Sequence, residues 1–164
     1  KGIREYCRAA EILKSTYPDA QFCILGPEEH GAGSVSLDEL RSYTDRDIVT
    51  YLGKTDDVRP FVAESTVMVL PSYREGLPCS LMEGMAMGRG AVATDVPGCR
   101  DLVRPEVNGL LVPAKDVQAL AKAMERFLIV SELAATLGAN ARKNIEEEYD
   151  ARTVAASIAA AMGV

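Results

Sequence analysis

Two glutamates, Glu75 and Glu83, stand eight positions apart on either side of Gly76-Leu77-Pro78-Cys79. An apolar, β-branched run at 67–70 precedes them and a helix-forming segment follows. The chain is therefore expected to leave a strand, turn sharply on Gly76 and enter a helix at Pro78, where proline's missing N–H costs nothing. Such a turn presents free backbone N–H groups beside the positive end of a helix dipole, an arrangement that suits a phosphate. Carboxylates beside that cradle suit the hydroxyls of a sugar carried on a diphosphate. The spacing alone is close to chance in an acidic chain. The surroundings favour a site, since Glu75 follows a buried strand and Glu83 lies among Leu81, Met82, Met85 and Ala86.

Other chemistries find less support. Asp45-Arg46-Asp47 has a metal-binding spacing but precedes a strand, so it reads as a solvated turn at the amino-terminal end of the sheet. Gly31 and Gly33 lack the strand and helix that flank a dinucleotide fingerprint, and read as a loop. Cys79 and Ser80 have no base nearby, because His30 is the one histidine of the chain. Nucleophilic triads are accordingly disfavoured. The four cysteines, Cys7, Cys23, Cys79 and Cys99, show no Cys-x-x-Cys pair, which argues against zinc and for reduced, mostly buried thiols in a cytoplasmic protein. No metal and no cofactor is expected. A net charge of −6 argues against nucleic acid, which needs a basic face. No apolar run approaches the length of a membrane span or has the form of a signal peptide.

The elements that must position the turn follow from periodicity. Ile3, Cys7, Ala10 and Leu13 give a helix over 2–16, and 21–25 is a strand closed by Gly26-Pro27. Ser36 caps a helix to about Tyr43, with Glu39 completing a capping box. Residues 48–52 form a strand ending at Gly53, and Asp56 caps a short helix holding Val58, Phe61 and Val62. After the strand at 67–70 come a helix over 78–88, a strand over 91–94, a short helix over 99–103 and a strand over 109–112. Asp116 caps a helix with Val117, Leu120, Met124 and Leu128 on one face, and helices over 131–148 and 151–162 end the sequence. Continuous apolar strands alternating with helices imply an α/β, Rossmann-like, doubly wound parallel sheet. Ligands of such sheets bind at the carboxyl ends of the strands, where the loops at Gly26, Gly53 and 72–78 converge. At 164 residues one domain, 1–164, is expected, without repeats or linker.

Taken together, several segments resemble the carboxy-terminal domain of retaining glycosyltransferases of family 4, which have the GT-B fold. They are Lys1-Gly2-Ile3, 20–27, 49–53, Asp56-Asp57-Val58-Arg59-Pro60, 67–83, 92–98 and 108–116. The Arg-Glu-Gly-Leu-Pro stretch and Asp95-Val96-Pro97-Gly98-Cys99-Arg100 carry most of the likeness, which runs from Lys1 to about Asp150. The resemblance implies one half of a GT-B fold that binds a nucleotide sugar. Glu75 would then accept from donor-sugar hydroxyls, Glu83 from the two ribose hydroxyls, and backbone N–H groups from Gly76 to Cys79 would hold sugar and diphosphate oxygens. Lys1 matches the lysine of a diphosphate clamp, whose arginine, with a central strand and an acceptor domain, would precede Lys1. The likeness to capsule and O-antigen enzymes implies UDP as carrier, a hexose or N-acetylhexosamine as cargo, and a glycan or lipid-linked acceptor at the cytoplasmic membrane face. A sugar-nucleotide epimerase and a non-catalytic binding module remain as alternatives. Gly84 and Gly90 depart from the family, where alanine and proline are usual.

Overall fold

The computed structural model describes residues 1–28 and 34–162, so the Gly31/Gly33 loop and His30 lie outside the described residues. Among these are five strands: β1 Cys23–Leu25, β2 Thr50–Gly53, β3 Val67–Leu70, β4 Gly90–Thr94 and β5 Gly109–Val112. The helices are α1 Ile3–Lys14, α2 Leu37–Thr44, α3 Arg59–Glu64, α4 Cys79–Ala86, α5 Pro97–Leu102, α6 Val117–Ile129, α7 Leu133–Glu148 and α8 Ala151–Met162. Every strand pair is parallel.

Side chains of the central ladder alternate between two cores, as period-two geometry requires. Val67, Val69, Val92, Leu110 and Val112 join a core with α1 and α6. Met68, Leu70, Ala91, Ala93 and Leu111 join the other, with α4, α5 and α7. All five residues of β4 are buried, so this strand is covered on both faces. The expectation of a doubly wound sheet holds in that respect. It differs in continuity, because hydrogen bonds form two ladders, β1–β2 and β3–β4–β5. Helix α1 bridges them: it packs on α6, and the Tyr6 hydroxyl donates to the Cys23 carbonyl of β1.

Several local expectations need correction. The first strand is shorter than 21–25, for Gln21 is exposed and Phe22 turns into the core just before β1. Ser36 Oγ accepts from the Glu39 N–H, but the Glu39 carboxylate does not return the bond. It takes both N–H groups of Arg4 at 2.6 Å instead, because a guanidinium offers two parallel donors. Asp56 does not cap α3; Asp57 Oδ1 accepts the Arg59 N–H. Pro78 is the cap of α4 rather than its first helical residue. On α6, Asp116 caps as expected, but Phe127 enters the core and Leu128 is exposed, because an α-helix turns 100° per residue and the stripe drifts. Cys7 and Cys99 are buried while Cys23 and Cys79 are exposed, so half of the thiols, not most, are sheltered. The two glycine departures have packing reasons. A Cβ on Gly84 would lie 2.3 Å from Met68 Cγ, and one on Gly90 would lie 3.2 Å from both Leu137 Cβ and Phe127 Cε1.

Candidate functional site

The loop between β3 and α4 is anchored before it is exposed. Pro71 and Ser72 are buried, and the Thr94 hydroxyl, at the end of β4, donates to the Ser72 carbonyl. Beyond that anchor Glu75 turns inward. Its side chain is 9% exposed and accepts a bond from Lys1 Nζ at 2.8 Å across 74 residues of sequence. Gly2 makes this approach feasible: it has φ +71°, and a Cβ there would lie 2.0 Å from the Pro71 carbonyl oxygen. Only glycine allows the chain to pass so close in that conformation.

Burial pushes the Glu75 carboxyl up, but the Lys1 ammonium and the neighbouring Ser72 hydroxyl outweigh it and hold the group below the ordinary glutamate value. Ser72 Oγ itself is buried without a fully formed hydrogen bond among the described residues. Behind the carboxylate lies the Cys99 thiol, pushed up to about 11 by burial and by the Glu75 charge. It is thus a protonated, packed group and not a nucleophile.

The amides of the turn divide sharply. Pro78 has no N–H, and the Cys79 N–H donates back to the Leu77 carbonyl at 2.9 Å. The N–H groups of Gly76 and Leu77 have no partner among the described residues, and both residues are exposed. The cradle expected over 76–79 therefore narrows to two donors. Glu83 stands in the second turn of α4 with an exposed side chain, and no hydrogen bond or ion pair joins it to Glu75.

Gly26 and Gly53 meet each other. The Gly26 N–H donates to the Gly53 carbonyl at 2.9 Å, and the Tyr51 hydroxyl donates to the Gly26 carbonyl at 2.8 Å. They close the carboxyl ends of β1 and β2, and no hydrogen bond ties them to Glu75. At the head of α1, Arg4 donates to the Ser34 carbonyl at 3.1 Å. Lys1, the β3–α4 turn and Ser34 thus meet at the amino-terminal end of α1. Thr94 was not singled out from sequence as part of the site, while Ser72 entered only with the loop at 72–78 and Gly98 and Cys99 only with the Asp95–Arg100 segment of the resemblance. A polar Thr94 closing an apolar strand and a Pro-Gly pair directly after it are the signals that could have found them. Asp45-Arg46-Asp47 is a turn, with Asp47 at φ +54° and paired to Lys14 at 3.2 Å. Among the described residues no group of three His, Cys, Asp or Glu side chains is arranged to hold a metal ion.

What this arrangement offers is a sheltered, ionised acceptor, an ammonium and two free amide donors within one turn. It can accept from hydroxyls at one point and stabilise an anion at the next.

Comparison with known proteins meets this geometry. The family model described as glycosyl transferases group 1 matches residues 1–129. Among the relatives is the N,N'-diacetylbacillosaminyl-diphospho-undecaprenol alpha-1,3-N-acetylgalactosaminyltransferase of Campylobacter jejuni, 30% identical over 94% of this chain and 39% of that protein. Sucrose-phosphate synthase from Thermosynechococcus elongatus superposes with a TM-score of 0.79 at 28% identity, over 97% of this chain and 42% of that one. HepE from Anabaena, solved in complex with UDP, gives 0.88 at 24% identity, over 99% and 45%, and shows the fold alone. The chain spans about 40% of the length of the curated relatives it matches.

Proposed function

The chain belongs to the group 1 glycosyl transferases, and on that premise we propose that it is the donor-binding half of a retaining glycosyltransferase with the GT-B fold. The donor in this reading is a UDP-linked hexose or N-acetylhexosamine, and the acceptor a polysaccharide or lipid-linked glycan. The observation that carries it is the Lys1–Glu75 contact at a turn with two open amides. The N-acetylgalactosaminyl transfer named for the Campylobacter relative agrees with that choice of cargo. The β1–β2 and β3–β4–β5 ladders are not hydrogen-bonded to each other, and in this reading a further parallel strand would join them. No described helix is long and apolar enough to cross a membrane. In this reading a lipid-linked acceptor would be met at the cytoplasmic membrane face.

In the proposed reaction the bond from the anomeric carbon to the β-phosphate oxygen breaks, and an acceptor hydroxyl attacks from the same face. Its proton passes to the departing phosphate. Charge grows on the diphosphate as this happens. Lys1 and the Gly76 and Leu77 N–H groups, fixed in place beforehand, stabilise that charge more than the ground state. Glu75 accepts from sugar hydroxyls and orients the ring; it is neither base nor nucleophile. Glu83 accepts from the ribose.

Calorimetric titration of the chain with UDP and with UDP-hexoses tests this. A charge-assisted hydrogen bond is worth about 1.5–3 kcal/mol, or roughly 10–100-fold in affinity. Glu83→Ala is expected to weaken UDP by that factor, and Glu75→Ala to weaken UDP-hexose while leaving UDP itself nearly unchanged. Wild-type UDP affinity in Glu83→Ala would remove the ribose role.

A further inference from the structure

Glu75 and Gly76 are gripped from a second side, by a residue 22 positions downstream that has no chemistry of its own. Gly98, in the first turn of α5, is buried, and its N–H donates to the Glu75 carbonyl at 3.3 Å. The contact is tighter than the hydrogen bond alone requires. A Cβ on Gly98 would lie 2.1 Å from the Gly76 oxygen, 2.7 Å from the Gly76 carbon and 2.8 Å from the Glu75 oxygen. All three are backbone atoms, and real Cβ atoms essentially never come within 3.0 Å of a neighbour, so no side chain can swing aside to make room. By contrast, a Cβ on Gly76 would meet nothing within 4 Å. The tightness therefore belongs to the Gly98 side of the contact, and the position of a Cβ on Gly76 is open.

We infer that Gly98 is a positioning residue for donor-sugar recognition: its bare backbone sets where the Glu75 carboxylate and the Gly76 amide stand. The inference rests on the donor-binding reading of this turn and adds a residue to it. Helix α5 follows β4 directly, and β4 is held to β3 along its length, so the contact ties the turn to the rigid centre of the sheet. Any side chain at 98 would push the 75–76 peptide outward by about 1 Å. Displacements of that size at a binding group cost up to about 100-fold where geometry matters. The nucleoside end of the donor lies elsewhere in this reading, at Glu83, and α4 does not depend on Gly98 for its start.

The test is the ratio of two affinities in Gly98→Ala, with folding verified by circular dichroism. Wild-type chain is expected to bind UDP-glucose, UDP-galactose or one of their N-acetyl forms at least ten-fold more tightly than UDP. Gly98→Ala is expected to weaken UDP through the displaced Gly76 amide and to weaken the UDP-sugar at least ten-fold more, so that the increment is lost. Equal weakening of UDP and UDP-sugar, or an increment left intact, overturns the inference while the donor-binding reading stands. Absence of UDP binding by the wild type overturns both. Should the variant not fold, amide exchange at Gly98 in the wild-type chain decides instead. Slowing at least ten-fold greater with the UDP-sugar than with UDP supports the role, and equal slowing overturns it.

Discussion

Replacing Gly84 by alanine would ordinarily stabilise a helix by up to about 1 kcal/mol. Here the structure predicts the opposite sign. The new methyl would stand 2.3 Å from Met68 Cγ and 2.9 Å from its Sδ, because Met68 of β3 runs directly under α4. An ordinary van der Waals contact needs 3.4–4 Å, so the thioether must re-route or α4 must lift. Overpacking of this kind costs about 1–3 kcal/mol. Set against the propensity gain, Gly84→Ala should destabilise by about 1 kcal/mol, lowering the melting temperature by about 2–4 °C in a domain of this size. Met68→Ala alone opens the space and should cost about 2 kcal/mol, less than a fully buried methionine would. In the Met68→Ala background the alanine at 84 meets no obstacle and should stabilise by about 1 kcal/mol, a coupling of about 2 kcal/mol across the pair. Urea denaturation of the four proteins gives all of these values. A stabilising Gly84→Ala in the wild-type background, or a coupling near zero, would refute the reasoning.

Glu75 is held below its unfolded value, so its pairing stabilises the fold above the ordinary glutamate range and is lost as pH falls through the depressed value. Lys1→Met should therefore lower stability from about pH 6 to pH 9 and leave it nearly unchanged below about pH 3, which flattens the acid limb of stability against pH; an unaltered limb would count against the pairing. Ser36→Ala and Asp116→Ala each remove a cap and should cost about 1 kcal/mol. Asp56→Ala, by contrast, should stay within about 0.5 kcal/mol, since Asp57 serves α3. Cys23 and Cys79 should react with a thiol reagent in the folded chain while Cys7 and Cys99, both pushed up to about 11, resist until denaturation. UDP-sugar should protect Cys79 from that reagent and leave Cys23 unprotected.

Where an element is settled by neighbours in sequence, the sequence alone was sufficient. The strands at 67–70 and 109–112 and the Asp116 cap lie where periodicity and capping chemistry put them. Where a competing partner arrives from elsewhere, local logic fails. The capping box around Ser36 is half undone by Arg4, which lies 35 residues away from Glu39. The division of the strands into two ladders is likewise tertiary, and alternating apolar runs carry no trace of it. The site divides the same way. The strand, the turn on Gly76 and the helix beyond it are legible in composition. The missing Pro78 donor was legible too, but the loss of the Cys79 amide depends on its bond back to the Leu77 carbonyl, and the Gly98 contact on the packing of α5 against the turn. The resemblance put Lys1 on the diphosphate and Glu75 on the sugar; their direct pairing was not anticipated, because a terminal lysine has no distinguishing pattern.

The most direct test of the central claim is a crystal structure of this chain with UDP-hexose bound. The account predicts hexose hydroxyls within about 2.6–3.2 Å of the Glu75 carboxylate, ribose hydroxyls at Glu83 and diphosphate oxygens on the Gly76 and Leu77 amides. A nucleotide seated at another rim of the sheet, or Glu75 still paired only with Lys1 while the sugar lies elsewhere, would contradict it.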